Sequence, residues 1–276
     1  MVQMRVTGAL VVLALLLGGG AGASHAATVY VAGSANDFGT LNLSTGVFTD
    51  IGTLNLPVPE RIFGMGFGAD GKLYGLDSSS LDANLYLINT TNAQVTLEGS
   101  INESAVGATT DASGKMYALS NGGNSVFYTL NPPSTTTTVV GATGIASGGL
   151  AAVTADGSHF YTTTGSDLYG INTATGAATL IGDTGFTFSS GLFVQSTLYG
   201  FNDSAAKAIV TIDTTTGAGT QVGTYSLPNV GEVIYAAAMA PQTGSPTPEP
   251  SSFLLFGMAV TGLGVARWRK RKQAAD

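Results

Sequence analysis

A tyrosine-bearing segment recurs five times along this chain at nearly constant spacing, and that recurrence constrains the fold more than any other feature. Thr28-Val29-Tyr30, Lys72-Leu73-Tyr74, Lys115-Met116-Tyr117, His159-Phe160-Tyr161 and Thr197-Leu198-Tyr199 place their tyrosines 44, 43, 44 and 38 residues apart. Farther along each unit comes a turn headed by Asn or Asp: Asn42 to Gly46, Asn89 to Ala93, Asn131 to Thr135, Asn172 to Gly176 and Asp213 to Gly217. An Asx side chain accepts hydrogen bonds from its own turn, and a trailing Gly or Asn tolerates left-handed backbone, so these read as hairpin turns. A run ending in glycine follows each turn, with Gly52, Gly99, Gly141, Gly182 and Gly223 spaced by 47, 42, 41 and 41 residues.

A unit therefore holds about four short strands, the period of a propeller blade. In the second unit the predicted strands are Gly64–Gly68, Lys72–Asp77, Asn84–Asn89 and Gln94–Gly99. The first strand of each unit is rich in small residues (Gly64, Gly66, Gly68; Gly107, Ala108; Gly149, Ala151, Ala152), as innermost strands crowded round an axis require. The first unit opens on its tyrosine strand and lacks an innermost strand. The segment Glu232 to Ala240 is a lone small-residue strand with nothing after it to pair with. Joining the two closes the ring and removes the open edges. The expected fold is all-β, a single five-bladed propeller over residues 27–242, with a β-sandwich or open meander as the rival architecture. The run Asn172 to Gly182 resembles bacterial surface propellers loosely grouped with quinoprotein- and kelch-like repeats. That resemblance bears on architecture and not on activity.

The two ends read as sorting signals outside the fold. Arg5, the apolar stretch Ala9 to Leu17 and the small-residue region ending Ser24-His25-Ala26-Ala27 make a secretory signal peptide, with cleavage by signal peptidase expected between Ala26 and Ala27. At the other end, residues 243–250 form an extended linker in which four of eight residues are Pro or Gly. Pro248-Glu249-Pro250 is followed by the apolar stretch Phe253 to Ala266 and the basic cluster Arg267, Arg269, Lys270, Arg271 and Lys272. This order of motif, hydrophobic helix over residues 251–276 and basic tail resembles the PEP-CTERM sorting signal of Gram-negative bacteria. The resemblance implies recognition by an exosortase, transient anchoring in the inner membrane, and a life at the cell surface or in an exopolysaccharide matrix. Fourteen apolar residues span about 21 Å as a helix, short of a hydrocarbon core of roughly 30 Å, which suits a transient helix better than a permanent anchor.

Charge and composition exclude several functions. Between Thr28 and Gln242 stand four basic residues and fifteen acidic ones, a net charge of −11, so nucleic acid is not an expected partner. The chain has no Cys, which removes thiolate catalysis, disulfides and Cys-based metal sites. After signal cleavage His159 is the only histidine, too few for a His-rich metal site. Asp70, Asp111 and Asp156 recur at matching positions between the first and second strands of three units. They are weak candidates for a metal ring, and Asp-Gly equally favours the tight turn itself. Glu98, Glu103 and Glu232 remain as acids without a spacing that pairs them. No catalytic constellation and no cofactor site emerges. The expectation is a non-enzymatic module that binds extracellular polysaccharide or a surface protein, with a lactonase- or lyase-like propeller enzyme as the alternative.

Overall fold

The computed structural model describes residues 29–77, 82–146 and 148–240. The expected signal peptide with Ala26 and Ala27, the expected linker with Pro248, Glu249 and Pro250, and the expected helix and basic tail with Arg267, Arg269, Lys270, Arg271 and Lys272 lie outside the described residues. Among the described residues no helix is long and apolar enough to cross a membrane.

The described body consists of twenty strands. The first blade contributes β1 (Val29–Gly33), β2 (Asp37–Leu41) and β3 (Phe48–Thr53). The second holds β4 (Ile62–Phe67), β5 (Leu73–Asp77), β6 (Asn84–Ile88) and β7 (Val95–Ser100). The third is β8 (Gly107–Thr110), β9 (Met116–Leu119), β10 (Val126–Leu130) and β11 (Thr138–Ala142). The fourth is β12 (Ala151–Val153), β13 (His159–Thr164), β14 (Asp167–Asn172) and β15 (Ala178–Asp183). The fifth is β16 (Phe188–Val194), β17 (Thr197–Asn202), β18 (Ala208–Ile212) and β19 (Gly219–Thr224), after which β20 (Ile234–Met239) returns to the first. Five four-stranded antiparallel sheets result, and the first has the order β20-β1-β2-β3. The one-plus-three closure is thus present, with Val29 opposite Met239 and Ala32 opposite Ala236.

The tyrosine period has a packing cause. Along a strand successive side chains face opposite sides of the sheet. The residue before each tyrosine therefore turns toward the preceding blade and the tyrosine toward the following one. Leu73 packs with Phe38, Met65 and Ala236 between blades one and two, whereas Tyr74 packs with Ala108, Met116 and Tyr128 between blades two and three. Phe160 and Tyr161 divide in the same way between the two interfaces of blade four. One apolar cluster fills each of the five interfaces, including the last, where Val29, Val31 and Leu41 meet Leu192, Phe201 and Ile209. Each fully buried aliphatic or aromatic side chain stabilises the ring by about 1.5–3 kcal/mol relative to exposure.

Close approach explains the small residues at both radii. On the innermost strand a Cβ at Gly64 would fall 2.1 Å from the Ala108 nitrogen. On the outermost, a Cβ at Gly182 would fall 2.2 Å from the Thr216 carbonyl oxygen, because the Asp213–Gly217 turn of the next blade leans on it. In all five blades the pairing of third and fourth strands slips by one residue beside this glycine, a bulge that bends the outer strand. The outer strands run one residue beyond the glycines that the sequence marks as their ends, to Thr53, Ser100, Ala142, Asp183 and Thr224.

Candidate functional site

The blades place titratable groups on two opposite faces. One face carries the turns between first and second strands, with Asp70, Asp111 and Asp156. The Asp70 carboxylate accepts the Lys72 N–H at 3.1 Å and the Tyr74 hydroxyl at 2.9 Å, and its ion pair with Lys72 Nζ spans 3.4 Å. Asp111 accepts the Ser113 N–H at 2.9 Å, the Lys115 N–H at 3.2 Å and the Tyr117 hydroxyl at 3.1 Å. Asp156 accepts the Thr154 hydroxyl at 2.7 Å and the Ser158 N–H at 3.0 Å. All three thus organise their own turns. The donors from Thr154 and then Ser158 hold Asp156 down to about 2. At Asp70 burial acts upward, but the donors from Lys72 and Tyr74 outweigh it and keep the carboxyl below its usual range. His159 is exposed beside them, its Nδ1 2.7 Å from the Ser158 hydroxyl. Among the described residues no group of three or more His, Asp or Glu side chains gathers as a metal site.

The inner strands end at this face round an axial mouth of about 530 Å³, with Phe67, Thr110, Val153, Phe193 and Met239 at its wall. Among the described residues lining it, Asp111 alone is ionisable. Burial and then the Asp111 charge push the Tyr117 phenol up to about 12, so it stays a neutral donor at the edge of the mouth.

The opposite face carries acids that the sequence reading passed over. Asp77 is fully buried at the end of β5 and accepts the Asn84 N–H at 2.7 Å and Asn84 Nδ2 at 2.9 Å. Glu60 accepts the Tyr86 hydroxyl at 2.7 Å. Burial and then the Glu60 carboxyl raise Asp77, although Asn84 opposes them. One blade earlier, Glu232 is 4% exposed and lies over Gly33, where a Cβ would come 2.0 Å from its Oε1. That oxygen accepts the Ala35 N–H at 2.9 Å. Burial first, and then the Asp37 carboxyl within hydrogen-bonding reach, push Glu232 above the usual carboxyl range. Glu98 is exposed on β7 and Glu103 lies on the β7–β8 connection, so the structure does not bring Glu232 together with either as an acid–base pair.

A sequence signal for this second face existed. Glu60-Arg61-Ile62-Phe63 and Glu232-Val233-Ile234-Tyr235 occupy the same slot, two residues before an innermost strand. The two aromatics stack with ring centroids 4.4 Å apart, so the two glutamates stand at neighbouring inner strands.

Comparisons with known proteins bear on the tail and on the body separately. Residues 246–272 match the family model of the PEP-CTERM protein-sorting motif. No curated protein matches the chain. Among solved structures, a chain of a nidogen–laminin complex is 12% identical, with 77% of this chain and 98% of that chain covered and a TM-score of 0.49. A Bacteroides caccae protein of unknown function is 14% identical over 74% of this chain and 75% of its own, with a TM-score of 0.49. TolB from Acinetobacter baumannii is 16% identical over 75% of this chain and 52% of its own, with a TM-score of 0.48. The chain carries a PEP-CTERM sorting motif behind a five-bladed β-propeller, the arrangement of an exported protein sorted by exosortase.

Proposed function

We propose that the propeller is a non-enzymatic binding or scaffold module of the cell surface or extracellular matrix, delivered by signal peptidase and exosortase and engaging exopolysaccharide or another surface protein. The observation that carries this reading is the axial mouth, walled by small and apolar side chains, whose one ionisable liner among the described residues has its carboxylate committed to its own turn and to Tyr117. A mouth edged by Phe67 and Phe193, whose single carboxylate among the described liners is already bonded, favours stacking and apolar contact over proton transfer. The perimeter supports the same reading. Leu97, Val139 and Leu180 are each more than half exposed on outermost strands, whose free edges suit strand addition by a partner.

An enzymatic reading finds its support on the other face, where buried Asp77 is raised and stands beside Glu60 and Tyr86, since perturbed acids gather at catalytic sites. The deciding experiment begins with expression in an exosortase-bearing host, fractionation and intact mass of the mature chain. Loss of residues 1–26 and of the segment beyond Pro250 is the expected result, followed by retention on isolated exopolysaccharide without depolymerisation. An intact C-terminus in the inner membrane overturns the sorting half of the proposal. Turnover of a lactone or polysaccharide that Asp77→Asn abolishes overturns the non-enzymatic half.

A further inference from the structure

The ring closes where β20, at the C-terminal end of the propeller, pairs with β1 at its N-terminal end. Around that seam the polar groups of the two ends interlock. Ser34 donates its N–H to the Val233 carbonyl at 2.8 Å, and the Val233 N–H returns to the Ser34 hydroxyl at 3.2 Å. Asn229 Nδ2 donates to the Asp37 carboxylate at 2.6 Å. Glu232 comes from one end of the propeller and Asp37 from the other.

Two oxygen atoms here have no donor. Glu232 Oε2 and Asn36 Oδ1 are buried and unpartnered among the described residues. Asn36 has already given its Nδ2 to the Glu60 carbonyl at 3.2 Å, and the neighbouring Ala35 holds Glu232 Oε1. The group facing Glu232 is another carboxyl, Asp37, which is an acceptor as well. The nearby cations do not resolve the conflict. Arg61 Nε donates to the Ser34 carbonyl, and Lys207 Nζ to the Gly231 carbonyl at 2.9 Å. Among the described residues the only ion pair is Lys72 with Asp70, on the opposite face. A buried carboxylate oxygen without a donor is costly, and two close carboxylates hold either one shared proton or a cation.

We propose that Glu232 and Asp37 bind a calcium ion that ties the two ends of the propeller together. The donor set is oxygen only, two carboxylates, as a hard cation requires, and calcium accepts the irregular geometry that magnesium does not. Two carboxylates rather than three or four place the affinity in the weak class of extracellular modules, about 10⁻⁴–10⁻³ M. The eleven surplus negative charges of residues 28–242 raise the local concentration of divalent cations around the body.

The test uses the full chain purified in detergent at pH 7.5, titrated with CaCl₂ by calorimetry and by thermal unfolding, with MgCl₂ in parallel. At 10 mM calcium Tm is expected to rise by roughly 3–10 °C, with a smaller response to magnesium. Asp37→Asn, at a half-buried position, is expected to weaken calcium binding at least tenfold, and Glu232→Gln to abolish it. If Glu232→Gln fails to fold, Asp37→Asn alone decides. Absence of heat and of any Tm shift in the wild type up to 10 mM overturns the proposal, leaving the proton-sharing pair. Unchanged affinity in Asp37→Asn overturns it as well, by moving the calcium elsewhere.

Discussion

The two faces of this propeller use the same side chains for opposite ends. On the turn face, Asp70 and Asp156 stand near solvent, collect N–H and O–H donors from their own turns, and stay ionised. On the seam face, Asp77 and Glu232 are buried, each faces a second carboxyl, and both are raised. Sequence context separates them. The groups that bond Asp70 and Asp156 lie within four residues of them in the chain, so their environment is local. The seam acids draw on partners beyond their own turns: Asp77 meets Asn84 on the next strand of its blade, and Glu232 meets Ala35, 197 residues away. A carboxylate solvated by its own loop costs the fold little, whereas one solvated by tertiary contacts depends on the whole ring being closed.

The largest expected effect lies at Asp77. Asp77→Ala removes the acceptor for two donors of Asn84 at a site with no exposure. Leaving buried donors unpaired costs about 1–3 kcal/mol each, so a loss of about 3 kcal/mol and a fall in Tm of roughly 6–12 °C are expected. Thermal unfolding at pH 6 measures it. A loss below about 1 kcal/mol would erase the distinction between the faces.

The same contrast explains what was legible in the sequence. The blade period, the closure by residues 232–240 and the Asx turns follow from residues that recur, because each blade solves the same packing problem: one side chain to each neighbour, glycine where chains touch. The turn role of Asp70, Asp111 and Asp156 follows for the same reason. Asp77 was not legible, since no other blade has an acid in its slot; the slots of Tyr86 and Asp37 recur, as Tyr128 and Tyr169 and as Asp167, but that recurrence does not show which acid each one meets. In the slot of Asp77 the first blade has Gly33, so the repeat does not advertise the pair that Asp77 makes with Asn84. Only the shared Glu-x-Ile-aromatic of Glu60 and Glu232 hints at them.

A pH scan sharpens the comparison with a smaller effect of opposite sign on the two faces. A carboxyl raised in the folded state binds its proton more tightly there than when unfolded, so its stabilisation is complete below the unfolded value and is lost as pH rises through the folded one. For Glu232 that loss begins above its ordinary 4.5, and for Asp77 above 3.8. Lowered Asp70, Asp156 and Asp213 behave conversely, stabilising above 3.8 and losing that contribution as pH falls. In calcium-free buffer Tm is therefore expected to peak in mild acid and decline on both sides. Glu232→Gln should flatten the alkaline limb and leave the acid limb unchanged. A Tm that climbs steadily from pH 4 to 8 without divalent cations would show that the seam acids do not govern it.

The smallest effect is expected on the turn face, and it carries its own spectroscopic signature. Asp111→Ala removes one acceptor for the Tyr117 hydroxyl and the cap of an exposed turn, for a loss of about 1 kcal/mol. Tyr117 titrates near 12 because burial and then the Asp111 charge both disfavour phenolate. Removing the charge and the bond leaves burial and the weaker push of the Asp156 charge, so the ultraviolet titration of this tyrosine should move down toward the ordinary value of about 10 without reaching it. Asp111→Asn separates the causes, since it keeps an acceptor for the hydroxyl but discards the charge, and an intermediate titration is expected. Equal shifts in the two variants would assign the perturbation to the charge alone. The Tyr–Asp contact would then be a consequence of packing at the mouth, and not a tether that shapes it.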